Sequence, residues 1–166
     1  MIRLYLGGAR SGKSRHALEA ATAGEAPHIF VATAQPFDAE MEERIVRHRQ
    51  ERGAEWQTIE APLGLAPVLT QAQSGTILVD CCTLWLSNLM LAEHKVEAEV
   101  DTLVAALTCC PANVHLVSNE VGSGIVPNHP LGRRFRDEQG RLNQRLAGLA
   151  DRVDLIIAGL PLKLKG

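Results

Sequence analysis

The chain has 166 residues and a mass of 18.0 kDa, and its 46% apolar and 22% charged residues suit one soluble globular domain with a substantial core. A net charge of −2 and a pI near 6.3 argue against general affinity for nucleic acid or acidic membranes, which leans on a strong positive field, so any phosphate recognition must be local. The four cysteines form two adjacent pairs, Cys81-Cys82 and Cys109-Cys110, without the C-x-x-C spacing of a zinc or redox site, and they read as reduced, buried thiols.

In chain order, the first predicted strand is "RLYL" (3–6), which opens the chain with no basic or signal-type segment. No apolar run reaches the ~20 residues that a membrane span needs, so a cytoplasmic protein is expected. A glycine loop follows, then a helix over 13–23, then a strand "HIFVAT" (28–33). A helix over 38–52 is expected to start at Asp38 as N-cap and to stop at Gly53, with a short strand "WQTIE" (56–60) after it. Next come a strand "TILVD" (76–80), helices over 82–94 and 96–108, and a strand "NVHLVSN" (113–119). A long Arg-rich helix over 131–149 and a strand "VDLIIAG" (153–159) follow, and the tail "LPLKLKG" alternates weakly enough to form an edge strand guarded by its lysines. Continuous apolar strands separated by helices predict a three-layer α/β fold on a mostly parallel sheet.

Gly7-Gly8-Ala9-Arg10-Ser11-Gly12-Lys13-Ser14 satisfies G-x-x-x-x-G-K-[ST] between a predicted strand and a predicted helix, the context that this motif needs to bind phosphate. In such a loop the backbone N–H groups and the helix N-terminus point at phosphate oxygens, Lys13 adds a charge near the β and γ groups, and Ser14 offers its hydroxyl to Mg²⁺. Asp80, closing a buried strand, is the candidate second metal ligand. Glu120, just beyond "HLVSN", is a candidate base or outer metal partner.

His48 lies among Arg44, Arg47, Arg49 and Arg52, a cluster able to gather a polyphosphate and to disfavour protonation of the ring. A half-buried structural histidine and a nucleophile are both compatible with that setting. The remaining histidines, at 16, 28, 94, 115 and 129, show no metal-ligand spacing and read as structural or surface residues. In the Arg-rich helix, Arg133 with Asp137, Arg134 with Glu138 and Asp137 with Arg141 are spaced for i,i+4 pairs that neutralise much of its charge.

Five stretches together resemble one family: "GGARSGKSRHA", "VATAQPFDAEMEERIVRHRQERGAEWQTIEAP", "ILVDCCTLWLSNLML", "VSNEVGSGIVPNHPLGRRFRDEQGRLNQRLA" and "GLPLKLK". They are similar to the bifunctional adenosylcobinamide kinase/adenosylcobinamide-phosphate guanylyltransferases of cobalamin biosynthesis, and the similarity runs nearly end to end. The resemblance implies a RecA-like P-loop fold, a trimer, and two reactions: phosphorylation of adenosylcobinamide, then transfer of GMP from GTP to its phosphate through a guanylylated histidine. By position in the motif that histidine is His48. The resemblance also carries nucleotide contacts to the loop Gly7 to Ser14, to Ala32, Thr33 and Ala34, to Arg49, Gln50, Glu51 and Arg52, to Glu60, and to Cys82. Gly53 stands where many relatives have proline, and "VPNHPLGR" stands for the commoner "VPENPLAR"; neither change removes a chemically needed group.

The expected substrates are thus GTP and ATP with Mg²⁺, acting on adenosylcobinamide and its phosphate. Two other functions fit the loop: a single-activity small-molecule kinase, which needs Asp80 but not His48, and a nucleotide switch that transfers nothing.

Overall fold

A computed structural model describes residues 1–35 and 53–166. The expected helix 38–52, and with it His48, Arg49, Gln50, Glu51 and Arg52, lies outside the described residues.

The strands are β1 (Ile2–Gly7), β2 (His28–Ala32), β3 (Trp56–Glu60), β4 (Thr76–Asp80), β5 (Asn113–Asn119), β6 (Arg152–Ile157) and β7 (Leu160–Lys165). They form one seven-stranded sheet in the order β3-β2-β4-β5-β1-β6-β7. All pairings are parallel except β6 with β7. The described helices are α1 (Lys13–Thr22), α2 (Leu65–Gln71), α3 (Cys82–Leu91), α4 (Val96–Cys109) and α5 (Pro130–Leu149).

Alternation along the buried strands divides the core in two. Leu4, Ile77, Val79, Leu116 and Val153 face a large apolar cluster completed by Trp85, Leu86, Leu103 and Leu146 of α3, α4 and α5. Tyr5, Phe30, Leu78 and Val117 face the other way, onto Ala17 and Ala21 of α1, whose small side chains let the helix lie close to the sheet. Helices thus cover both faces, and the three-layer expectation holds.

Three details differ from the sequence expectation. α2 was not foreseen, because Pro67 reads as a breaker, yet it stands in the first turn, where its missing N–H costs no helical bond. The helix expected over 82–94 ends at Leu91, where Glu93 turns left-handed at φ 57° and the His94 N–H bonds the Leu89 carbonyl at 2.9 Å. The last predicted strand runs into a two-residue hairpin turn: Ala158 and Gly159 take φ values of 52° and 79°, as this tight turn requires, and Ile157 pairs with Leu160. The expected edge strand is present as β7. Beyond guarding the edge, its Lys165 ammonium donates to the Ala147 and Gly148 carbonyls at 3.0 and 2.9 Å, at the C-terminal end of α5.

The Arg-rich helix is also paired differently from expectation. Arg133 donates to the carbonyls of Pro127 and Asn128 at 3.0 and 2.7 Å, pinning the loop before α5, while Arg141 meets Glu138 and Arg145 meets Asp101. Cys81 and Cys82 are buried as expected, but Cys109 is exposed.

Candidate active site

In a parallel sheet the carboxyl ends of the strands share one edge, and ligands gather beyond it. That edge collects Gly7 from β1, Ala32 from β2, Glu60 from β3, Asp80 from β4 and Asn119 from β5. Residues separated in sequence by more than a hundred positions thus come to one place.

The loop after β1 curls through two left-handed residues, Arg10 at φ 55° and Gly12 at φ 93°. A side chain at Gly12 would be strained by that φ, and its Cβ would lie 3.3 Å from the Gly159 Cα. The loop is tied by the Ser11 N–H to the Gly8 carbonyl at 3.3 Å, and the His16 N–H to the Gly12 carbonyl at 3.0 Å starts α1. Left-handed residues interleaved with right-handed ones turn successive N–H groups to the same side, which makes an anion-binding concavity capped by a helix N-terminus. The Lys13 ammonium arches back over the loop and donates to the Gly8 carbonyl at 3.2 Å. Gly8, Ala9 and Arg10 are exposed, and Ser11 and Ser14 are half-buried.

Asp80 stands half-buried at the end of β4, separated from β1 by β5 alone. By alternation with Leu78 it faces the α1 side of the sheet, where the loop lies. The Cys81 thiol registers both neighbours: it is pushed up to about 11, chiefly by burial and then by the Asp80 carboxylate, with the backbone N–H groups of Leu84 and Thr83 and the Lys13 ammonium acting to lower it. Ser14 and Asp80 offer oxygen donors alone. A hydroxyl and one carboxylate, completed by substrate phosphates, form a set suited to Mg²⁺, which is commonly bound by one or two carboxylates beside a nucleotide. Among the described residues no group of three or more His, Cys, Asp or Glu gathers as a metal cage.

Thr33 and Cys82 have no exposed surface. The Thr33 hydroxyl donates to the Cys81 carbonyl and accepts from the Cys81 N–H, both at 2.8 Å, and the Asn88 amide donates to the Thr33 carbonyl at 2.9 Å. This clamp joins the segment 32–34 to the turn beyond Asp80, so Ala32 and Ala34 sit beside it, both half-buried. The Cys82 side chain packs in the large core cluster. Glu60, at the end of β3, is exposed and flanks the same edge. The Glu120 carboxylate accepts from the N–H groups of Gly122 and Ser123 at 2.6 and 3.3 Å, bracing its own loop.

Two contributors were not singled out as site residues from the sequence. The hairpin turn after β6 buttresses the phosphate loop, with the Gly159 N–H donating to the Ser11 carbonyl at 2.8 Å. Asn119 is held by a polar cluster: its N–H donates to Thr83 at 2.7 Å and its carbonyl accepts from Asn143 at 2.9 Å. Only sheet pairing, which is long-range, reveals either one.

The family described as cobinamide kinase / cobinamide phosphate guanyltransferase has a model that matches residues 3–164. The bifunctional adenosylcobalamin biosynthesis protein CobP of Pseudomonas aeruginosa is 47% identical over 170 residues, covering 100% of this chain and 98% of that protein. The bifunctional adenosylcobalamin biosynthesis proteins CobU of Salmonella typhimurium and Escherichia coli are 43% and 40% identical, each covering 99% of this chain and 100% of the relative. Among solved structures, an ATPase from the type III secretion system of pathogenic bacteria matches with a TM-score of 0.57 at 11% identity. The alignment covers 98% of this chain and 56% of that one, so this chain spans little more than half of the ATPase. A Pyrococcus horikoshii OT3 protein matches with a TM-score of 0.54 at 8% identity, covering 99% of this chain and 86% of that one. At such identities these likenesses show the fold alone.

Proposed function

The chain belongs to the cobinamide kinase / cobinamide phosphate guanyltransferase family, and from that premise we propose that Lys13 and the loop around it run a phosphoryl transfer while His48 carries a guanylyl group. The enzyme is a bifunctional transferase of cobalamin biosynthesis. It phosphorylates adenosylcobinamide and then joins GMP from GTP to the new phosphate. The observation that carries the kinase half is the meeting of a complete phosphate loop with the Asp80 carboxylate at one sheet edge.

In the kinase step the substrate hydroxyl attacks the γ-phosphorus of ATP or GTP. A new O–P bond forms, the bond to the β-bridging oxygen breaks with its electron pair leaving on the diphosphate, and the hydroxyl proton passes to solvent. Such transfers need little covalent help, so positioning and charge dominate. The N–H groups of Gly8 to Ser14 cradle the β and γ phosphates, and Lys13 draws off charge as the bond to the diphosphate breaks. Ser14 and Asp80 would hold Mg²⁺, which would supply positive charge to neutralise phosphate oxygens.

In the second step the neutral His48 imidazole attacks the α-phosphorus of GTP and pyrophosphate departs. The phosphate of the first product then displaces the ring. Splitting the transfer into two displacements keeps the guanylyl group activated between them. Arg49, Gln50, Glu51 and Arg52 flank the nucleophile in sequence, and the arginines stabilise the leaving pyrophosphate. Ala32, Thr33, Ala34 and Glu60 border the nucleoside, with Thr33 acting through its clamp. Cys82 contributes through its place in the turn after Asp80, since its thiol is buried.

We place the enzyme in the cytoplasm as a homotrimer. Among the described residues no helix is long and apolar enough to cross a membrane. Leu160, Leu162 and Leu164 leave an exposed apolar row on the edge strand β7, in keeping with burial at a subunit contact.

Incubation with α-labelled GTP and Mg²⁺ tests the guanylyl half. Wild type is expected to retain acid-labile label, and His48→Ala to lose it while ATP-dependent phosphorylation continues. Undiminished label on His48→Ala contradicts the assignment, and an absence of label on wild type contradicts the guanylyl-enzyme altogether.

A further inference from the structure

Asn119 closes β5, the strand between the Asp80 strand and the phosphate-loop strand, and it stands in register with Gly7. Side chains alternate across this sheet. Leu116 and Ser118 face α5, where the Ser118 hydroxyl meets Asn143 at 2.7 Å, whereas Val117 faces α1. Asn119 therefore shares the face of Val117, which is also the face of Asp80 and the phosphate loop.

Its main chain is fully engaged. The N–H goes to Thr83 and the carbonyl to Asn143, while the next N–H, of Glu120, donates to the Gly7 carbonyl at 3.1 Å. The carboxamide oxygen, by contrast, is buried without a hydrogen-bond partner among the described residues. A buried acceptor left unpaired is costly, and a group that reaches this edge of the sheet can relieve that cost by donating to it. The neighbouring Glu120 carboxylate is already spent on its own loop.

We propose that Asn119 is a further catalytic residue of the kinase half-reaction, its carboxamide oxygen accepting the hydrogen bond of the attacking substrate hydroxyl and its NH₂ donating to the γ-phosphoryl group. The inference rests on the kinase function proposed above. One planar group offers an acceptor and two donors side by side, so it can hold the two reactants against each other. Asparagine takes up no proton. The hydroxyl proton leaves to solvent as the O–P bond forms and the diphosphate departs, so the residue aligns the reactants and leaves the acid-base balance unchanged. The guanylyl steps occur at the α-phosphorus and make no demand on it.

The test separates the half-reactions. Asn119→Ala keeps the three main-chain bonds, and Asn119→Asp keeps the shape while placing a negative charge beside the triphosphate. For both variants the kcat of ATP-dependent phosphorylation is expected to fall about 100-fold, the scale for loss of one aligned donor, with the larger loss in Asn119→Asp. Guanylyl transfer to substrate supplied already phosphorylated is expected to stay within about threefold of wild type in Asn119→Ala at saturating GTP, whereas the added carboxylate of Asn119→Asp also repels the GTP used in that step. A kinase kcat within about threefold of wild type in Asn119→Ala overturns the role, and so does a parallel fall of both half-reactions in that variant, which marks a structural part. If wild type fails to phosphorylate in the same assay, the kinase function itself is wrong. Active wild type beside an undiminished variant removes only Asn119.

Discussion

Gly159 donates its N–H to the carbonyl of Ser11 at 2.8 Å, and its Cα lies 3.3 Å from where a side chain on Gly12 would begin. The turn between β6 and β7 is thereby a strut under the phosphate loop. Gly159 has φ 79°, so Gly159→Ala is expected to cost about 1 kcal/mol through the left-handed backbone. Its Cβ meets nothing nearer than Arg15 at 3.7 Å, so no clash adds to this. Thermal unfolding should show the loss, and nucleotide affinity should weaken with it. Unchanged affinity would show that the strut does not shape the loop.

Thr33 holds the turn beyond Asp80 with two hydrogen bonds of 2.8 Å to the Cys81 main chain. Thr33→Val preserves the shape but leaves the buried N–H and carbonyl without that partner. A destabilisation of about 2 kcal/mol is expected, measured as a lower denaturation midpoint at unchanged m-value.

His115 is buried and meets the Tyr5 hydroxyl at 3.0 Å. Burial, then the charges of Arg3 and of the amino terminus, hold its pKa down to about 4 from 6.5. Its folded form stays neutral where the unfolded chain already takes up a proton. Stability is therefore complete above the unfolded value and declines as pH falls from about 6.5 toward 4, by up to about 1.4 kcal/mol per pH unit. Urea midpoints at pH 7 and pH 5 should differ in that direction. His115→Gln should flatten the slope, and an unaltered slope would assign the acid sensitivity to other groups.

The thiols should separate by reactivity. Burial pushes Cys81 up to about 11 and Cys82 higher still, whereas Cys109 is exposed. A thiol reagent at pH 8 is expected to modify Cys109 quickly and to reach Cys81 and Cys82 only after unfolding. Rapid labelling of Cys82 in the native protein would contradict the core seen around it.

Much of the sheet was legible because strands buried on both faces read as continuous apolar runs, as in "TILVD" and "NVHLVSN". α2 was hidden by Pro67, and the β6–β7 turn by the apolar Ala158 before Gly159, since neither segment carries the usual local signature. The phosphate loop was legible because its chemistry is contiguous from Gly7 to Ser14. Asp80 could be found from its place at a strand end. Asn119 and Gly159 could not, because what brings them to the site is the pairing of β5 and β6 with β1, residues far away in sequence. Thr33 looked like a nucleotide contact, and its clamp on Cys81 is a tertiary feature that no local pattern encodes.

The most direct test of the site is a crystal structure with Mg²⁺ and a non-hydrolysable GTP analogue. The β and γ phosphates are expected inside the loop Gly7 to Ser14 beneath the Lys13 ammonium, with the metal between Ser14 and Asp80. A triphosphate seated elsewhere, with that loop empty, would contradict the placement of both half-reactions.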